Sequence, residues 1–91
     1  MKTLTIIGRA HGEIAFRILD EFHNQGDEVA ILFTGRGTHH TARSEVIEQL
    51  DYAELYTMET EFNSTDERIT ALSYDGIITL LEECERTFTW I

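Results

Sequence analysis

The stretch EVAILFTGRGTHH, from Glu28 to His40, joins a strong strand signal to a turn signal. The segment Glu28–Thr34 is apolar almost without interruption, which is typical of a strand buried on both faces, as in a parallel sheet. Two glycines then end the apolar run, and an arginine and two adjacent histidines accompany them. The sequence therefore predicts a central strand that ends in a glycine turn, with the histidines leading into the next helix.

Strands and helices alternate on both sides of this stretch. Before it, a strand is predicted over Thr3–Gly8, where β-branched residues are frequent. An amphipathic helix over Glu13–Phe22 follows, because its apolar residues recur at helical spacing. The predicted buried stripe of this helix consists of Ile14, Ala15, Ile18, Leu19 and Phe22.

After the stretch, a helical stripe over Ala42–Leu50 leads to strands over Ala53–Met58 and Arg68–Leu72. A further apolar helical stripe follows Ser73, which is a favourable N-cap residue. It consists of Tyr74, Ile77, Leu81 and Cys84. A short edge strand over Thr87–Ile91 closes the chain. This alternation predicts one α/β domain over residues 1–91, with a mostly parallel sheet of about five short strands flanked by helices.

The charge of the chain is −10, from 17 acidic and 7 basic side chains. Residues 1–43 carry five of each sign, whereas residues 44–91 carry twelve acidic and two basic side chains. Such a surface repels phosphate backbones, so direct nucleic-acid binding is not expected. It serves either to keep the protein in solution or to dock a partner.

Membrane and secretory functions are not expected either. No apolar run approaches the roughly 20 residues of a membrane span, and the N-terminus lacks a signal-peptide pattern. One cysteine cannot form an internal disulfide. A cytoplasmic protein is the simplest interpretation.

Positively charged and imidazole side chains follow the first two predicted strands. Ligands of open α/β sheets bind beyond the carboxyl ends of the strands, so these side chains would form an anion-binding rim. They are Arg9, His11, Arg36, His39 and His40. Neither loop matches a nucleotide-binding fingerprint, and adjacent histidines point in different directions. Zinc would need two further ligands, so no metal and no cofactor is predicted.

Cys84 is the only thiol and therefore the only residue that could carry a persulfide. It lies on an apolar helical stripe, near the negative end of that helix, and Glu82, Glu83 and Glu85 surround it. These features disfavour the reactive thiolate, so a buried structural cysteine is the better interpretation. No other catalytic group is predicted.

Two segments resemble the DsrH/TusB family, the small subunit of sulfur-relay complexes. The segment DERITALSYDGIITLLEECERTFTWI matches the end of that family in its short strand, its apolar helix and its terminal tryptophan; the matching residues are Tyr74, Ile77, Leu81 and Trp90. The segment QGDEVAILFTG matches a turn, strand and turn of the family through Gly26, Asp27, Glu28 and Gly35. Strand one, helix one and the chain length also fit.

The resemblance implies a flavodoxin-like, DsrE-type fold and an accessory role within a heterohexamer of three related subunits. The DsrE/TusD-like subunit of such complexes carries the persulfide cysteine, and a DsrF/TusC-like subunit completes the set. The complex passes sulfur between carrier proteins, toward 2-thiouridine at the tRNA wobble position or within sulfur oxidation. Two alternatives stay open: a sulfur carrier that uses Cys84, and a stand-alone module that binds a small anion.

The end of the chain is predicted to take part in association. A domain of this size covers little of its own apolar surface, and an edge strand presents unpaired backbone groups. The predicted interface residues are Phe88, Trp90 and Ile91. They would contact the DsrE/TusD-like and DsrF/TusC-like subunits, or a second copy in a homo-oligomer.

Overall fold

The computed structural model describes residues 1–9, 11–58 and 67–90. The strands in these residues are β1 (Lys2–Ile7), β2 (Glu28–Phe33), β3 (Glu54–Met58), β4 (Ile69–Leu72) and β5 (Arg86–Trp90). The helices are α1 (Glu13–Asn24), α2 (Ser44–Gln49) and α3 (Tyr74–Glu83), and a 3-10 helix over Gly35–Ala42 connects β2 to α2. All the predicted strands are confirmed, with bounds shifted by about one residue, the usual uncertainty of such assignments.

The described strands form one parallel sheet in the order β4-β3-β2-β1-β5. The chain steps from β1 to β4 toward one edge and then returns to place β5 beside β1. α1 and α2 pack on one face of the sheet, and α3 packs on the other. The connection from β4 to β5 runs back across the sheet, and its helix α3 lies on the opposite face. Because both changes occur together, this crossover is right-handed like the others. The predicted α/β class, with a parallel sheet flanked by helices, is confirmed and is consistent with a flavodoxin-like fold.

The central strand β2 explains why the apolar run is continuous. Ile31 and Phe33 point to the α1 and α2 face, whereas Ala30 and Leu32 point to the α3 face, and all four are buried. Burying one large apolar side chain contributes about 1.5–3 kcal/mol, so β2 stabilises both layers at once. None of the described helices is long and apolar enough to cross a membrane.

The buried face of α1 differs from the predicted stripe. The prediction that Ile14 is buried is wrong, because its side chain is 60% exposed. The burial predicted for Ala15 and Leu19 is confirmed, and Phe16 is buried as well, although it was not part of the predicted stripe. The Phe16 ring packs edge-on against the imidazole of His40, with ring centroids 5.1 Å apart. This long-range contact favours the observed rotation of the helix, and periodicity within α1 does not reveal it.

The start of α3 is as predicted, and its buried face is so in part, since Ile77 and Cys84 of the predicted stripe pack against the core. Ser73 caps the helix, since its Oγ accepts a hydrogen bond of 3.2 Å from the Gly76 N–H. Leu80 is the buried residue of the helix. The prediction that Tyr74 and Leu81 belong to the buried stripe is wrong, because their side chains are 75% and 41% exposed.

Candidate functional site

Ligands of parallel α/β sheets bind beyond the carboxyl ends of the strands, and in this sheet the carboxyl ends of β1 and β5 are neighbours. The loop after β1, the 3-10 helix after β2 and the end of β5 meet at this edge. The Gly8 N–H donates a 2.8 Å hydrogen bond to the Trp90 carbonyl oxygen, so the two strands stay paired to their last residues. This edge is the candidate functional site.

The 3-10 helix lies directly across this edge. Gly35 has φ of +55°, which favours glycine, and it turns the chain at the end of β2. Gly37 is buried against β1, where a Cβ would collide with the Ile7 carbonyl group. The same carbonyl oxygen accepts a 2.9 Å hydrogen bond from the Thr34 N–H. The predicted glycine turn after a central strand is therefore confirmed, and both glycines have a steric reason.

His40 belongs to the interior of this edge. Its side chain is 1% exposed, and Nε2 lies 2.9 Å from the Arg9 carbonyl oxygen, to which it donates. Nδ1 is buried without a hydrogen-bond partner among the described residues. Burial lowers the pKa of His40, and the positive charges of His39 and Arg43 lower it further, while the Arg9 carbonyl opposes them. A neutral His40 thus ties the 3-10 helix to the loop after β1.

The other rim residues lie at the surface. Arg9, His11, Arg36 and His39 are all exposed. The structure brings two of them together around one ring, because the Trp90 Nε1–H donates to the His11 carbonyl oxygen (2.9 Å) and the Arg9 guanidinium lies 6.0 Å from the Trp90 ring centre. Arg36 and His39 follow on the exposed side of the 3-10 helix. The rim is thus a surface of four side chains, with His40 beneath it.

The predicted interface residues lie on edge strand β5. Phe88 and Trp90 share the face that packs on α1, since they pair with Thr5 and Ile7 of β1. Phe88 packs edge-on against Phe22, with ring centroids 6.4 Å apart. Both rings are half-buried, so each also contributes to the surface. Ile91 lies outside the described residues.

Cys84 directly follows α3 and is half-buried. Burial raises the pKa of its thiol. Lys2 opposes this effect, but Glu54 and Glu83 raise the pKa further. A thiol with a raised pKa is a weak nucleophile at neutral pH. Cys84 is thus half-buried rather than buried as predicted, and of its three glutamate neighbours in sequence Glu83 contributes to the raised pKa.

Sequence patterns did not reveal a cleft at the opposite, amino edge of the sheet. It has a volume of about 290 Å³, and the rings of His23 and Tyr52 stack beside it with centroids 4.3 Å apart. The Tyr52 hydroxyl donates to Asp20 (2.7 Å); burial and that carboxylate raise the pKa of Tyr52. Two carboxylates of the cleft already form ion pairs, Asp27 with Arg86 and Glu54 with Lys2. Since these residues are distant in sequence, no local motif marks the cleft.

Metal binding has no support in the described part of the chain. No group of three or more histidine, cysteine or carboxylate side chains lies close enough together there to hold a metal ion. A structural zinc site uses four such ligands.

The sequence matches no protein-family model and no curated protein. The resemblance to the DsrH/TusB family therefore stays a prediction that rests on the quoted residues. The confirmed part is the architecture, a five-stranded parallel sheet with helices on both faces.

Proposed function

We propose that the protein is an accessory, non-catalytic subunit of a sulfurtransferase complex of the DsrEFH/TusBCD type. Such a complex relays persulfide sulfur between carrier proteins, for 2-thiolation of the tRNA wobble uridine or for sulfur oxidation. The DsrE/TusD-like and DsrF/TusC-like subunits would be its partners in a heterohexamer that works in the cytoplasm. The quoted family-like segments and the parallel α/β sheet support this proposal.

The environment of Cys84 is the observation that carries the accessory role. Sulfur transfer begins when a thiolate attacks the terminal sulfur of a persulfide, so a carrier cysteine needs a low pKa and an accessible sulfur. Cys84, the only thiol in the chain, has a raised pKa and is half-buried. The sulfur-carrying cysteine is therefore expected on another subunit.

Substitution of Cys84 tests this assignment. Sulfur transfer through a complex assembled from the three subunits is expected to stay within about twofold of the wild type in Cys84→Ser, because the variant removes no reacting thiolate. Transfer of ³⁵S between carrier proteins measures the rate, and mass spectrometry locates the persulfide. A persulfide trapped on Cys84 together with lost transfer in the variant would support the sulfur-carrier alternative.

The β1–β5 edge supports a second candidate function, a stand-alone module that binds a small anion. Arg9 and His11 are exposed there beside the half-buried Trp90. Calorimetric titration with sulfate and with phosphate tests this function. Arg9→Gln should abolish binding, whereas Arg17→Gln, a change of an exposed arginine on α1, should leave it intact. Absence of any heat of binding would exclude this candidate.

A further inference from the structure

Helix α3 exposes an apolar stripe, which we define as Tyr74, Ile78 and Leu81. These side chains are 75%, 40% and 41% exposed. At about 100° per residue they fall within an arc of about 60°, and the buried Leu80 lies about 130° from its centre. Three large apolar side chains on one flank of a helix form a continuous patch, unlike scattered single exposed residues.

The patch borders a part of the sheet that the described helices leave uncovered. Five strands spaced about 4.8 Å apart make a face about 20 Å wide, and packed helices lie about 10 Å apart, so two helices cover such a face. α1 and α2 do so on one side. Among the described residues, α3 is the helix that packs on the other side. The described residues thus supply one helix to this layer, where two would fit.

The stripe is directed toward the β5 side of this layer. The opposite flank of α3 lines a cleft of about 280 Å³ together with Tyr56 of β3 and Leu72 of β4. The stripe therefore faces away from β3 and β4. On that side β5 exposes Thr87 and Thr89, because Phe88 and Trp90 point to the α1 face. The stripe and these two threonines therefore lie on the same face of the sheet.

The charges around the stripe define which helix fits. α3 contains three carboxylates, no lysine and no arginine, and Glu85 lies two residues beyond its end. Glu82 and Glu83 lie in the last turn, where the negative end of the helix dipole disfavours carboxylates. Arg86 is directed elsewhere, since it contacts Asp27 (2.9 Å) on the α1 side. Lys2 Nζ lies 3.9 Å from the Glu83 carboxylate, so positive charges supplied by a partner would relieve the repulsion among the other three carboxylates, Asp75, Glu82 and Glu85.

We propose that the surface formed by Tyr74, Ile78, Leu81 and the outer face of β5 docks a cationic amphipathic helix of a partner protein. The apolar face of that helix packs on the stripe, and its lysines and arginines lie against Asp75, Glu82 and Glu85. A second copy of this chain fits poorly, because both copies carry a charge of −10. This inference depends on α3 and β5 alone and holds whether or not the protein takes part in sulfur transfer.

The probe is a fluorescent amphipathic helical peptide of about 18 residues, with a leucine face flanked by lysines. Fluorescence anisotropy measures its binding to the full chain at low and at physiological salt. Ile78→Ser/Leu81→Ser should weaken binding by about tenfold or more, since it removes the apolar contact and keeps every charge. Ile14→Ser is the matched control, an exposed isoleucine on α1, and should change binding less than about twofold. Amide chemical-shift changes should map to α3 and β5.

Three kinds of result would overturn the proposal. The first is a loss of apolar specificity. Ile14→Ser would then weaken binding as much as the α3 double variant, or a peptide whose leucines are replaced by glutamine would bind equally well. Either outcome would indicate charge attraction alone. The second is the absence of binding even at low salt. The third is a dimer of the isolated chain, seen by sedimentation, that the α3 double variant dissociates, which would make a second copy the occupant. Thermal melts followed by circular dichroism confirm that each variant is folded.

Discussion

The buried imidazole of His40 connects two loops that are distant in sequence. Protonation would place a second N–H, at Nδ1, in an apolar site formed with Phe16 and Phe33, where no described group accepts it. The folded protein therefore favours the neutral ring, and the pKa of His40 is lowered. The unfolded chain has no such restriction and takes up the proton at an ordinary pKa of about 6.5.

This difference predicts a pH dependence of stability. Because the folded-state pKa of His40 is the lower one, the free energy of unfolding is highest above about pH 6.5 and falls as pH decreases toward the folded-state pKa. Glu45 and Glu54, whose pKa values are also lowered, act at more acidic pH. Urea unfolding of the wild type, measured between pH 7.5 and pH 5.5, spans about two pH units around the ordinary pKa of histidine. It should show the decrease in the free energy of unfolding. His40→Gln, which keeps a donor for the Arg9 carbonyl, should show a flatter profile; an unchanged slope would contradict this.

Two glycines allow a matched test of backbone packing. In Gly37→Ala the new Cβ meets the Ile7 carbonyl group, which the paired strands hold in place, so a loss of about 1–3 kcal/mol or more is expected. In Gly76→Ala the nearest atom is the flexible Leu72 Cδ2 at 3.3 Å. Alanine also favours the helix by about 1 kcal/mol, so this variant should be neutral or more stable. Urea unfolding of both variants measures the difference, and a stable Gly37→Ala protein would show that the 3-10 helix can move off β1.

At the scale of the elements, the central strand β2 was predictable because burial on both faces leaves a continuous apolar run, and β5 because its aromatic residues alternate with threonines. The rotation of the helices was not. In α1, helical periodicity fits burial of either Ile14 or Phe16. Phe16 is the buried one, and its ring contacts His40 on the 3-10 helix. In α3, either Leu80 or Leu81 completes an apolar stripe, and packing on Leu4 and Leu32 selects Leu80. Helical periodicity shows that a face is buried, but the opposing layer determines which one.

The same limit applies to the candidate site. Its location followed from the rule that ligands bind beyond strand ends, and Arg9 and His11 do lie there. The burial of His40 could not be predicted, because a polar residue next to the exposed His39 carries no sign of an interior position. The bonds of Trp90 with the loop after β1 were also hidden, since these residues are about 80 positions apart.

At the scale of the whole molecule, edge strand β5 carries the residues that we predict to form an interface. Trp90 is half-buried, and its ring bridges the edge of the sheet and the β1–α1 loop. Truncating a tryptophan that anchors an interface costs about 2 kcal/mol or more. We therefore expect Trp90→Ala, or deletion of the last four residues, to weaken assembly with the DsrE-like and DsrF-like subunits.

Sedimentation velocity of the co-expressed subunits measures this effect, and His39→Ala, a change of an exposed residue of the rim, is the control. Trp90→Phe separates the two roles of the side chain, because it keeps an aromatic surface and removes the hydrogen bond to the His11 carbonyl oxygen. Normal assembly of Trp90→Phe with impaired assembly of Trp90→Ala would assign the effect to the ring surface. If His39→Ala impairs assembly as much as Trp90→Ala, or if the wild-type chain stays monomeric beside both subunits, β5 is not the interface and the anion-binding module becomes the better account.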